Sequence, residues 1–261
     1  MKANVTATQI NLWDNRFYFI TPEEEIPEHI KYLEADGGIY LPSSTHILDV
    51  ALAKGKQFEG WLKDVGHNSK IISEIAAEKG TRVHRACELL LDGEEISYDT
   101  VIDVEVKHVG RHMGLDEWYG VLRFKEFCDT TRPTNVISEA IAYNLEDGYG
   151  GTVDMQCVID GERWLIDFKF SSAVHESHYL QVESYARCLE GIDKVGVLHL
   201  RAATRGADKR GKNIQGKGWR LFEAENRDEL WETWQALLKI YKFKAGAETP
   251  KSITIPKTVK L

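Results

Sequence analysis

"RWLIDFKFSS", Arg163–Ser172, sets two ionisable side chains, Asp167 and Lys169, into a run otherwise built from Trp164, Leu165, Ile166, Phe168 and Phe170. Ionised groups are costly to bury unless something compensates them. Read as a β-strand, the run sends alternate side chains to opposite faces. Arg163, Leu165, Asp167 and Lys169 then share one face, and Trp164, Ile166, Phe168 and Phe170 the other. The aromatic face is a core and the charged face is the floor of a site.

The preceding residues say what that site faces. "GGTVDMQCVI" (150–159) and "ERWLIDFKF" (162–170) are two period-2 runs joined by Asp160-Gly161, a two-residue hairpin signal. Pairing Ile159 with Glu162 and carrying the register along puts Asp154 directly opposite Asp167. Opposed Cβ atoms lie about 4.5–5.5 Å apart, and like charges there repel. A hard divalent cation resolves the conflict: Mg²⁺ takes one or two protein carboxylates and fills its octahedron with water and phosphate oxygens. Lys169, next along the same face, is placed to orient a water or to stabilise charge building up on a phosphate. The pattern therefore predicts metal-dependent cleavage of a phosphodiester. An ion-pair network at a sheet edge is the plain structural alternative. "EVK" (105–107) has the same spacing but no facing carboxylate, and it reads as surface.

Outward from the hairpin, "NVISEAIAY" (135–143) reads as a third strand, turning at Asp147-Gly148. "HESHYLQVESYARCLEG" (175–191) reads as a helix, followed by strands "KVGVLHLRA" (194–202) and "GWRLFEA" (218–224) and a last helix from Asn226 to Phe243. Upstream the period is helical. Ser43 or Ser44 caps a helix in "LPSSTHILDVALA", "FEGWLKDVG" gives a second, a longer pattern runs from Ser69 to Leu91 with an interruption at Gly80, and another covers Leu115 to Cys128. In the long helix His84 and Glu88, four apart, share a flank. "NRFYFI" (15–20) reads as a short strand before an acidic connector. The fold class predicted is α+β, helices around a central mixed sheet. The chain divides into an N-terminal extension (1–40), a catalytic domain (41–245) and a C-terminal tail (246–261).

The formal net charge of −8 does not advertise a nucleic-acid binder, yet charge is unevenly spread. Residues 201–220 hold seven Lys/Arg against one Asp, whereas 21–36 hold six acids against one lysine. On charge alone the basic stretch is either a solvated hairpin tip or the track of a phosphate backbone. Cys87, Cys128, Cys157 and Cys188 lie far apart in sequence without a CxxC pair, a pattern of reduced thiols. No apolar run approaches the ~18 residues of a membrane span, and the N-terminus has no basic start leading into an apolar block. A cytoplasmic location, in a bacterial or phage-infected cell, is the expectation, with no membrane partner.

In order along the chain, "LPSSTHIL" (41–48), "GTRVHRACELL" (80–90), "GTVD" (151–154), "IDFKFS" (166–171) and "QVESY" (181–185) resemble the PD-(D/E)XK nuclease superfamily, specifically its RecB-like, phage-type exonuclease branch. The resemblance implies a restriction-endonuclease-like core with Mg²⁺ or Mn²⁺ held by His84, Asp154, Asp167 and the backbone carbonyl of Phe168, and with Lys169 as the catalytic lysine. Gln181 and Tyr185, four apart on one helical face, would contact the nucleic-acid backbone or hold the site in shape. Glu88 and Glu139 would either steady a ligand or bind a second ion. Some relatives of this branch carry four cysteines for an iron–sulfur cluster. The scattered cysteines here depart from that arrangement, and no cluster is expected.

The function expected is a DNA exonuclease of recombination, repair or phage DNA metabolism, acting on single- or double-stranded DNA. Arg201, Arg205, Lys209, Arg210, Lys212 and Lys217 would line the DNA path. Without a GxxxxGK[ST] motif, any helicase, annealing or single-strand-binding protein would be a separate partner. The competing expectations are a structure- or site-specific endonuclease of the same fold and a catalytically silent nucleic-acid-binding or assembly module.

Overall fold

In chain order, β1 (Thr6–Leu12), β2 (Asn15–Thr21), β3 (Glu34–Ala35) and β4 (Gly38–Pro42) make a small antiparallel sheet. Helices α1 (Ser44–Ala51), α2 (Lys56–Val65) and α3 (Ser69–Leu91) follow, then the short pair β5 (Val101–Ile102) and β6 (Arg111–His112), and α4 (Leu115–Thr131). Next come β7 (Thr134–Asn144), β8 (Tyr149–Ile159) and β9 (Glu162–Lys169). The chain continues with α5 (Glu176–Ala186), β10 (Lys194–His199), a second short pair, β11 (Arg205–Ala207) and β12 (Asn213–Gln215), then β13 (Arg220–Glu223) and α6 (Arg227–Ala245). These elements come from a computed structural model that describes residues 6–12, 15–22, 25–35, 37–53, 55–102, 111–201, 205–207, 213–215 and 218–245. Among them no helix is long and apolar enough to cross a membrane.

The fold is α+β around a mixed five-stranded sheet ordered β13-β10-β9-β8-β7. Only β9 and β10 run parallel, joined through α5; the other neighbours are antiparallel. The two faces of β9 separate as the alternation predicts. Trp164, Ile166, Phe168 and Phe170 bury against Val83 and Cys87 of α3 and Phe124 and Phe127 of α4. Leu165 buries on the other face against Val182 and Tyr185 of α5. Burying each large side chain contributes roughly 1.5–3 kcal/mol, so a slip of one residue, which exchanges the two faces, is strongly disfavoured.

Beyond α5 lies a second layer of helix, where Ile47 and Leu48 of α1 pack with Trp234 and Leu238 of α6. Trp234 is wholly buried there. Ser43 caps α1, its hydroxyl accepting from the His46 amide at 3.1 Å. The small N-terminal sheet packs on the central one: Tyr18 lies against Gly150, and its hydroxyl bonds Thr152 Oγ1 at 2.9 Å.

Two sequence expectations give way. Helix α3 runs unbroken through Gly80. A single glycine costs about 1 kcal/mol against alanine, too little to break a 23-residue helix anchored by Val83, Ala86 and Cys87. Helix α5 stops at Ala186, where Cys188 and Leu189 donate to carbonyls three residues back and tighten the chain into turns. "EVK" (105–107) and the tail 246–261 lie outside the described residues.

Candidate active site

The β8–β9 hairpin closes as its sequence requires. Asp160 and Gly161 take φ values of 52° and 84°, the paired positive angles of a two-residue turn matching strand twist. The ladder then runs in the expected register from Ile159↔Glu162 to Met155↔Ile166.

There it ends, one pair short of Asp154 and Asp167. Met155, Cys157 and Ile159 face α3 and α4, whereas Val153 and Gly151, at the same parity, face α5. Residues two apart on a regular strand share a face, so the pleat changes phase at Asp154. The neighbouring strand yields at the same level. Between the pairs Ser138↔Met155 and Ala140↔Val153, Glu139 adopts a left-handed φ of 47°. Such backbone costs of order 1 kcal/mol or more and persists only where the surroundings enforce it.

The phase change corrects the expectation of two squarely opposed carboxylates. Asp154 Oδ2 accepts the Phe168 amide at 2.5 Å, standing in for a strand carbonyl, and Oδ1 meets His84 Nδ1 at 3.3 Å. Asp167 Oδ2 lies 2.6 Å from Lys169 Nζ, a tight ion pair inside the site. Helix α3, β8 and β9 thus each send an ionisable group to one opening in the sheet.

Electrostatics drive the two carboxylates apart. Burial pushes Asp154 up, but the His84 charge, then Lys169, and the Phe168 amide outweigh it and hold it below the usual carboxylate range. Burial pushes Asp167 up as well; Lys169 offsets part of this, Asp154 adds repulsion, and the net shift is upward. For His84 burial opposes the charged form, but Asp154 prevails and raises the imidazole. Glu139 is raised by partial burial and by the Asp154 and Glu88 charges. Its side chain remains exposed, so solvent screens that repulsion. Glu88 pairs with Arg85 on the same helix.

Gln181 and Tyr185 sit behind the carboxylates. The Gln181 amide donates to the Tyr185 hydroxyl at 2.8 Å, and the Tyr185 ring is buried so tightly on Gly151 that an added Cβ would lie 2.0 Å from it. That contact explains the glycine in "GTVD". A ring so enclosed holds the site in shape; of the two roles considered for Tyr185, contact with a nucleic-acid backbone does not fit.

Lys169 stands between two clefts. One, of about 480 Å³, is lined by Thr45, Asp49, His175, His178 and Gln181. The other, of about 540 Å³, lies against α3 and includes His84, Phe170, Ser171 and Arg201. Arg201 stacks its guanidinium over the Phe170 ring, 5.7 Å from its centre. Arg205 belongs to β11; its side chain, with Lys209, Arg210, Lys212 and Lys217, lies outside the described residues.

Sequence reasoning gave His178 no role. Burial, Lys169, His175 and His199 depress it to about 3, and it accepts the His175 amide at Nδ1, 3.2 Å away. It is a neutral wall of the cleft and ties down the start of α5. The signal was present as a histidine pair three apart at the start of a helix.

The donors suit a hard or borderline divalent cation: two carboxylates beside an imidazole. Among the described residues no three such side chains already stand together in ligating positions, because His84 and Lys169 engage the two acids. The cysteines occupy other ground: Cys87 and Cys157 are buried in the aromatic core, with thiols pushed up by burial. The chain matches no protein-family model and no curated protein, so a functional conclusion has to stand on the site's own geometry.

Proposed function

We propose that this chain is a Mg²⁺- or Mn²⁺-dependent deoxyribonuclease that degrades DNA from its ends, with the site organisation of the PD-(D/E)XK nucleases its motifs resemble. One observation carries the proposal: His84, Asp154, Asp167 and Lys169, from three separate elements, converge where β8 and β9 part, with Asp167 buried and paired to Lys169.

Asp154, Asp167 and His84 would hold the ion, with the Phe168 carbonyl beside them. When bound, a divalent cation lowers the pKa of a water and neutralises charge on the phosphate. Lys169, facing both clefts, holds a phosphate oxygen in place and stabilises the negative charge that grows on it during attack. Asp154, kept ionised by His84 and Lys169, is ready as a ligand at neutral pH. Tyr185 and Gln181 fix the strand that carries Asp154.

Arg201 and the basic stretch beyond it neutralise phosphates without reading bases, which favours sequence-tolerant, salt-sensitive binding and leaves a chain end as the selector. The test is incubation of linear and covalently closed circular DNA with the protein in chelator, Mg²⁺ and Mn²⁺. Progressive loss of linear DNA only with metal, with the circle intact, supports the proposal. Discrete fragments from the circle favour an endonuclease, and no cleavage with either metal favours a silent binding module.

A further inference from the structure

The cleft on the α3 side of Lys169 has an unusual wall. Ile72 and Ile75 line it with Ala76, and both isoleucines are markedly exposed, at 43% and 49%. They extend along α3 into Ile71, also exposed at 55%. Large aliphatic side chains left in water beside a polar site call for an apolar occupant. The opposite side of the same cleft is polar and cationic: Lys169, Ser171, Ser172 and Arg201. Among the described residues Arg201 has no carboxylate partner, and its guanidinium lies over the Phe170 ring.

A nucleotide has this division of chemistry, with a charged phosphate and a flat, weakly polar base one sugar away. A phosphate at Lys169 and Arg201 brings its base toward Ile72, Ile75 and Ala76. About 540 Å³ has room for one nucleotide. A base inside a duplex is stacked on both faces and cannot enter without being unpaired and swung out. A base at a single-stranded end enters freely.

Resting on the nuclease reading above, we propose that the Ile72–Ile75–Ala76 wall receives the unstacked base of the nucleotide being cut, making single-stranded DNA ends the preferred substrate. Ile72 and Ile75 are then specificity-determining residues, whereas Lys169 and the carboxylates serve any strand.

The test compares a short oligodeoxythymidylate with a blunt duplex, by fluorescence anisotropy in chelator and by cleavage with Mn²⁺, for the wild-type protein and for Ile72→Ser/Ile75→Ser. Both isoleucines are exposed, so the variant should fold, checked by circular dichroism and thermal melting. We expect the wild type to bind the single strand about tenfold more tightly than the duplex. The variant should lose most of that advantage while its duplex binding stays unchanged. A 2-aminopurine at the strand end should change its fluorescence on binding to the wild type and not to the variant. Equal affinity for both DNAs, or a variant that keeps the single-strand preference, overturns this inference and leaves the nuclease intact; the wall would then serve another contact. Neither binding nor metal-dependent cleavage of either DNA overturns both.

Discussion

The two ends of the β8–β9 ribbon differ in kind. At the turn, Asp160 and Gly161 close a regular ladder whose pairs run in unbroken register to Met155↔Ile166. At the other end the pleat changes phase at Asp154, Glu139 enters left-handed backbone, and a carboxylate replaces a carbonyl as acceptor for Phe168. Backbone hydrogen bonds sustain the closed end. Side chains from α3 and α5 sustain the open one, and there the carboxylates stand.

The largest contrast should be in activity. Lys169→Ala, Asp167→Ala and Asp154→Asn, all at the open end, should each lower cleavage of linear DNA by about a thousandfold or more while the fold persists by circular dichroism. Substitutions at the turn, such as Asp160→Asn, should leave it within a factor of two or so, since the side chain is exposed and asparagine tolerates positive φ. Near-normal cleavage by any of the three open-end variants would remove that residue from the site.

Two glycines sharpen the contrast in stability. Gly151→Ala forces a methyl group into the buried Tyr185 ring, for about 3 kcal/mol lost, and should depress cleavage because the ring backs the Asp154 strand. Gly161→Ala meets no atom within 4 Å and suffers only from its φ of 84°, for about 1 kcal/mol. Urea denaturation with parallel assays reads both quantities, and an equal loss of activity in the two variants would contradict the division.

The smallest effects separate the two carboxylates in metal-free protein. Asp154→Asn removes the ion pair to His84 and weakens the acceptor for the Phe168 amide, for roughly 1–3 kcal/mol. Asp167→Asn should leave stability unchanged or slightly raised, because burial outweighs the Lys169 attraction and Lys169 can be hydrated from the clefts. The signs with pH are opposite. Asp154, depressed, stabilises above the ordinary carboxylate range and loses this contribution as pH falls through its folded value. Asp167, raised from 3.8 to about 6, binds its proton more tightly when folded, so stability declines as pH climbs through that interval. Unfolding free energies measured across pH 4 to about 6.5 should therefore show a shallower decline in Asp167→Asn than in the wild type.

This division also marks where the amino-acid pattern was informative. The hairpin register followed from period-2 alternation and a two-residue Asp-Gly turn, both local. Asp154, Asp167 and Lys169 could be named from the strand pattern, and His84 joined them only through the order of the motifs. The phase change could not be read, since it depends on Tyr185 seated on Gly151 and on Glu139 yielding in the adjacent strand, which are contacts between distant residues. Gly80 misled because a local penalty was set against a helix anchored by tertiary packing. The exposed Ile72 and Ile75 look like ordinary core positions in an amphipathic helix; only their exposure among the described residues distinguishes them.

The central claim is that the open end of the ribbon binds a divalent metal through Asp154, Asp167 and His84. Calorimetric titration of Mn²⁺ into metal-free protein and into Asp167→Asn, at neutral pH and without DNA, tests it directly. Wild-type protein should bind Mn²⁺ saturably, and Asp167→Asn, equally folded, should lose that binding. No saturable binding to the wild type, or binding of equal strength to Asp167→Asn, would contradict the claim.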